Sequence, residues 1–207
     1  MNILKSVPSL SSIVSENTKA LIFDMDGTLL NTELVHAEAL YKFLNDSNHN
    51  IERLLSDFCG VSESEIFRIL KDRNVITTKG FDEFIEQKNM EFEKLLESDE
   101  LVERLFLPEL KDFILEARSK NIKIALVTAS ERDTTELFLS KLKIKNLFDL
   151  IITRNDTKKT KPDPMPYIHS FQKLKVKSDE VIIFEDSETG IAAARDSRAK
   201  FFKVTWY

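Results

Sequence analysis

Cysteine is nearly absent: Cys59 is the only one in 207 residues. That excludes an intramolecular disulfide and a thiolate metal cluster, and it predicts a reducing, cytoplasmic setting. Glycine is scarce too. Gly27, Gly60, Gly80 and Gly190 are all there are, so no glycine-rich phosphate loop of the dinucleotide- or nucleotide-binding kind can be built. Basic residues are not in excess: 30 Lys and Arg against 35 Asp and Glu leave a net charge of −5. Nucleic acid and anionic membrane surfaces are therefore not expected partners. The longest apolar runs, such as those at 20–23, 124–127 and 181–184, span four residues each, far short of the roughly 20 that cross a bilayer.

A hydrophobic content of 42% is enough for a sizeable core and rules out an intrinsically disordered chain. Residues 2–15 carry Lys5, scattered serines and Pro8. These interrupt any signal-peptide core, and the arginines of a transit peptide are missing, so a loose tail is expected over 1–19. The branched apolar runs at 20–23, 122–127 and 181–184, with a shorter one at 150–153, predict buried strands of a parallel sheet. Between them Leu110, Phe113, Ile114 and Ala117 recur at helical spacing, as Tyr167, Ile168, Phe171 and Leu174 nearly do. Strands alternating with helices indicate a doubly wound α/β domain.

From 32 to 107 only helical periodicity is found. Ile51, Leu54, Leu55 and Phe58 mark one helix, Ser62 and Glu65 suggest a capping box for the next, and a third covers about 81–96. An all-helical domain over 32–107 is thus predicted as an insertion into an α/β domain made of 20–31 and 108–207, with Pro108 at a helix N1 position marking the return.

Ligands of open parallel sheets sit beyond the carboxyl ends of the strands. Asp24-Met25-Asp26-Gly27-Thr28, Thr128-Ala129-Ser130 and Glu185-Asp186 fall at such ends, and Lys161-Pro162 follows the short strand by a loop. Any one of these acids alone is adequately explained as a cap or turn residue. A cluster of carboxylates needs a counter-charge, and hard oxygen ligands beside a phosphate suit Mg2+ better than zinc.

In order, Asp24-Met25-Asp26-Gly27-Thr28-Leu29, Thr128, Lys161 and Glu185-Asp186 resemble the four motifs of the haloacid dehalogenase superfamily, and most of all its beta-phosphoglucomutase-like phosphatases with a helical cap. Asn31-Thr32-Glu33, His36, Lys161-Pro162-Asp163-Pro164 and Glu185-Asp186-Ser187 leading to Gly190 support the likeness. The resemblance implies a Rossmann-like core with the 32–107 insertion as cap. It also implies a Mg2+-dependent phosphatase acting on a small phosphorylated metabolite. Asp24 would be the nucleophile and Asp26 the acid/base, while Thr128, Ala129 and Lys161 would bind phosphate. Asp24, Asp26, Glu185 and Asp186 would hold the metal, Asp26 through its backbone carbonyl.

Thr32, His36 and Ser130 are candidates for cap or substrate contacts, although Thr32 also reads as a plain N-cap and His36 as an ordinary helix histidine. Gly190 and the alanines at 192–194 suit close packing of a helix on the sheet. The chain departs from the mutases where their cap loop has a lysine and an arginine suited to a second phosphate, for it has Cys59 and Glu63. Ser197-Arg198 stands where relatives tend to have Ala-Gly, so a left-handed helix end is expected to be lost there. No counterpart of the terminal helix of many relatives is expected after the last strand. A monomer is expected. The alternatives are a phosphomutase of the same type and a non-enzymatic phosphoacceptor module, which would give Asp26 no role.

Overall fold

The structure is a computed structural model and describes residues 3–44, 50–58, 61–98, 101 and 104–207; Cys59 and Gly60 of the predicted cap loop lie outside them. The chain divides into two compact units, Met1–Asn31 with Phe106–Tyr207, and Thr32–Leu105.

The first unit is a six-stranded, wholly parallel sheet. Its strands are β1 (Ile3–Leu4), β2 (Ala20–Phe23), β3 (Lys123–Val127), β4 (Leu150–Ile152), β5 (Val181–Glu185) and β6 (Lys200–Val204), in the order β1-β6-β5-β2-β3-β4. β2, β3 and β5 read as unbroken apolar runs because both faces of the sheet are covered. All four residues of β2 and all five of β5 are buried. β2 lies between β3 and β5, so the order reverses at the strand that leads into Asp24, which is where an open α/β sheet forms its crevice.

The expected loose tail over 1–19 is corrected. Ile3 and Leu4 pair with Lys203 and Val204, α1 (Leu10–Ile13) buries Leu10 completely, and Lys200 Nζ donates to the Ile13 carbonyl at 2.8 Å. A strand of two residues has no periodicity to read; it exists only through its partner.

The remaining helices of this unit flank the sheet. Helix Pro108–Ser119 opens on proline as predicted and buries Leu110, Phe113, Ile114 and Ala117. Helix Met165–Leu174 buries Tyr167, Phe171 and Leu174 but leaves Ile168 exposed. Helices Arg132–Lys141 and Glu188–Asp196 complete the set.

The second unit consists of helices Thr32–Leu44, Ile51–Phe58, Glu63–Asp72 and Phe81–Leu95 among its described residues. They close over a core of Ala37, Leu40, Leu54, Phe58, Leu70, Ile76 and Phe84. Ser62 caps Glu63–Asp72 by accepting from the Glu65 amide at 3.3 Å. The Glu65 carboxylate pairs with Arg68, so the expected reciprocal box is met by its serine half. Among the described residues no helix is long and apolar enough to cross a membrane.

Glycine scarcity has a structural cost at the helix ends. Among the described residues five helices terminate through a left-handed residue that is not glycine: Asn74, Asn121, Lys143, Lys175 and Arg198, at φ of 54°, 59°, 54°, 57° and 64°. The expected loss of a left-handed end at Ser197-Arg198 is therefore corrected, because Arg198 adopts that conformation itself. At four of these ends the next amide reaches back to close the turn, as Val176 does to Phe171 at 3.0 Å, and each such residue is apolar: Val75, Ile122, Ile144 and Val176. The contact behind the turn, together with those back-bonds, outweighs the steric penalty of a Cβ. Lys175 is exposed, so Lys175→Gly should relieve that penalty and raise stability by about 0.5–1 kcal/mol after the extra chain entropy of glycine is deducted. Urea unfolding reads the difference; an unchanged or lower midpoint contradicts it.

Candidate active site

Asp24 directly follows β2, and its amide still bonds the Phe184 carbonyl at 3.1 Å, so the sheet itself sets its position. The chain then folds sharply back. Both Leu29 and Leu30 amides donate to Met25 O, and Gly27 donates to Leu30 O. Gly27 has φ +74°, and a Cβ there would lie 2.3 Å from Asp186 Oδ2; the turn needs glycine for both conformation and room. Thr28 Oγ1 donates to Asp186 Oδ1 at 2.9 Å.

The Lys161 side chain is only 4% exposed. Its ammonium donates to Asp24, to Glu185 Oε1 at 2.5 Å and to the Val127 carbonyl at 2.8 Å. Glu185, fully buried, also accepts from Tyr167 Oη at 2.5 Å and from Ser187 Oγ at 3.3 Å. Ser187 in turn caps helix Glu188–Asp196 by accepting from the Gly190 amide. Across the crevice, Ser130 Oγ donates to Asp26 Oδ2 at 2.6 Å, and Thr128 Oγ1 lies 3.4 Å from the same oxygen.

Seven predicted residues therefore meet here: Asp24, Asp26, Thr128, Ser130, Lys161, Glu185 and Asp186. Ala129 is exposed between Thr128 and Ser130. Thr32 and His36 belong to the helical unit. Thr32 is buried at the start of its helix, and His36 stacks on Phe92 with ring centroids 4.8 Å apart.

By its spacing alone Tyr167 reads as an apolar helix position. Its phenol was the available signal, since a buried hydroxyl needs a partner. Gly190, read as a point of close helix packing, faces a carboxylate instead: a Cβ there would sit 2.0 Å from Glu185 Oε1.

Burial pushes the Asp24 carboxyl well above the usual carboxylate range, with Lys161 opposing that rise. Burial raises Asp186 as well, against the Thr28 hydrogen bond, and raises Tyr167 strongly, with the Glu185 charge adding to it. For Lys161 burial favours the neutral amine, but Asp24 and Glu185 outweigh it and the pKa is raised, so the ammonium stays charged. One buried cation thus faces three acids. Asp24, Glu185 and Asp186 each offer an oxygen within 4.8 Å of the others. Excess negative charge and an all-oxygen donor set fit a hard divalent cation such as Mg2+.

A family model described as haloacid dehalogenase-like hydrolase matches residues 21–204. The chain belongs to that family. A phosphorylated carbohydrates phosphatase of Thermotoga maritima is 32% identical over 181 residues, covering 86% of this chain and 81% of that protein. A pyrophosphatase of Bacillus thuringiensis is 24% identical, covering 90% and 82%. The solved beta-phosphoglucomutase of Clostridium difficile is 26% identical with a TM-score of 0.62, covering 90% and 84%. These haloacid dehalogenase relatives match nearly the whole chain, helical unit included.

Gly190→Ala discriminates between packing and site roles. Within a helix alanine is worth about 1 kcal/mol more than glycine. Glu185 can yield to the new methyl only by giving up its bonds to Lys161 and Tyr167. The variant should therefore be less stable than the parent in urea unfolding, and a gain in stability would refute the arrangement.

Proposed function

We propose that the protein is a Mg2+-dependent phosphatase that hydrolyses a small organic phosphate monoester through an aspartyl-phosphate. The observation that carries this reading is the Lys161 ammonium between Asp24 and Glu185, with Asp26 held across the crevice by Ser130. Asp24 attacks phosphorus, a bond from its carboxylate oxygen to phosphorus forms, and the bond to the leaving alkoxide breaks. Asp26 gives that alkoxide its proton. It then takes one from the water that attacks the aspartyl-phosphate, which releases phosphate and restores Asp24. The Thr128 hydroxyl and the Ala129 amide hold phosphoryl oxygens, and Lys161 offsets charge on the phosphate and on Asp24. Mg2+, when bound, neutralises charge on the phosphate and the carboxylates. Asp24, Glu185, Asp186 and the Asp26 carbonyl would hold it.

The helical unit serves as the cap that selects the substrate. Cys59 and Glu63 give its loop no cation of its own, but Lys88, itself 4% exposed, pairs with Glu63 beside a cavity of about 260 Å3. Lys71, another basic residue of the cap, is occupied by the Thr78 carbonyl at 2.5 Å. With the Lys88 charge already met by Glu63, a substrate without a second phosphate fits better than a bisphosphate.

Asp24→Asn should abolish release of phosphate from an aryl phosphate while the fold is retained by circular dichroism. Chelation should do the same reversibly, with Mg2+ restoring turnover; full activity in chelator with metal shown absent would overturn the reading. To separate phosphatase from phosphomutase, beta-glucose 1-phosphate with a trace of the bisphosphate is supplied in a coupled glucose 6-phosphate assay. No appreciable isomerisation is expected, and substrates that turn over should yield inorganic phosphate. Efficient isomerisation would establish the mutase instead.

A further inference from the structure

Beneath the acids of the first unit runs a ladder of aromatic rings. Phe23, one residue before Asp24, stacks on Phe184, one residue before Glu185, with centroids 4.7 Å apart and planes within 9°. Trp206 lies against the same Phe184 ring at 6.2 Å. Its polar edge is directed elsewhere: the indole Nε1 donates to the Thr28 carbonyl at 2.8 Å. The next residue repeats the move, with the Tyr207 hydroxyl donating to the Leu29 carbonyl at 2.7 Å. Thr28 and Leu29 are fully buried, and buried carbonyls that lose a donor are costly.

We propose that Trp206, with Tyr207 beside it, is a positioning residue for Asp26 and Asp186. Thr28 links the two. Its carbonyl is held by Trp206, its hydroxyl is bonded to Asp186, and its backbone lies two residues past Asp26 in the turn closed by Met25, Gly27 and Leu30. The indole clamps this turn onto the end of β5 at its two ends, through the ring on Phe184 and through the N–H on Thr28. Loosening the N–H contact lets the turn shift relative to Asp24, which the sheet holds independently. Neither residue reaches the reacting atoms. The inference rests on the phosphatase reading for what Asp26 and Asp186 do, but not for the clamp itself.

Trp206→Phe keeps a ring on Phe184 and removes the donor; Tyr207→Phe removes one hydroxyl. Trp206→Phe loses one hydrogen bond to a buried carbonyl, so kcat on an aryl phosphate at saturating Mg2+ should fall about tenfold with KM within about twofold. Tyr207→Phe loses the bond to the Leu29 carbonyl and the one its hydroxyl accepts from the Leu107 amide, and should lower kcat as well. Amide hydrogen exchange supplies a readout independent of turnover. Exchange at Leu29 and Leu30, whose amides close the turn, should accelerate about tenfold in Trp206→Phe while the amides of β3 keep the parent rate. Local acceleration together with the loss of kcat supports the clamp. Unchanged exchange, uniform acceleration across the sheet, or local acceleration with parent kcat overturns it. Should the parent protein release no phosphate from any phosphomonoester, the phosphatase reading fails and the exchange result alone decides the clamp.

Discussion

Burying acids at the end of an apolar parallel sheet is tolerable only where something answers their charge, and here the Lys161 ammonium does so. It bonds Asp24, Glu185 and a backbone carbonyl while almost wholly out of water. The carbonyl it takes, Val127, belongs to β3, so one cation ties the ends of three adjacent strands. A buried ion pair of this kind is weak evidence for stability, since desolvation offsets much of the attraction. Its value is positional. Removing the ammonium would leave carboxylates that cannot all remain ionised side by side.

Two of the described glycines serve these acids directly. Gly27 and Gly190 lie where a Cβ would collide with Asp186 and Glu185, the two acids at the end of β5. Among the described residues the five left-handed helix ends fall to Asn, Lys and Arg, four of them held by a back-bond from an apolar residue behind. The distribution separates two demands. At a helix end a side chain pointing to solvent can tolerate the strained conformation, whereas beside a carboxylate fixed by several hydrogen bonds there is no direction in which a side chain could go.

The helical unit handles charge differently. Lys88 is buried among apolar neighbours and meets Glu63, a carboxylate 44% exposed at its side chain. That pair leaves a polar but balanced patch beside a mainly apolar cavity.

Much of the core was legible in the sequence because its signals are local. Four-residue runs of apolar residues at 20–23 and 181–184 point to buried strands, and acids directly behind them then lie at the strand ends. Pro108 announced a helix start, and the motif order identified the family. Pairings between distant segments were not legible. Ile3–Leu4 became a strand only by lying beside β6. Tyr167 looked like any apolar helix residue until its hydroxyl met Glu185, and Lys88 had no visible tie to Glu63, 25 positions earlier. The sequence alone determined the fold class and the chemical types of the site, because burial pattern and residue identity are properties of short segments. Which donor answers which acid is settled by packing, because a hydrogen bond is set within a few tenths of an ångström and that precision arises when separate strands and helices come together.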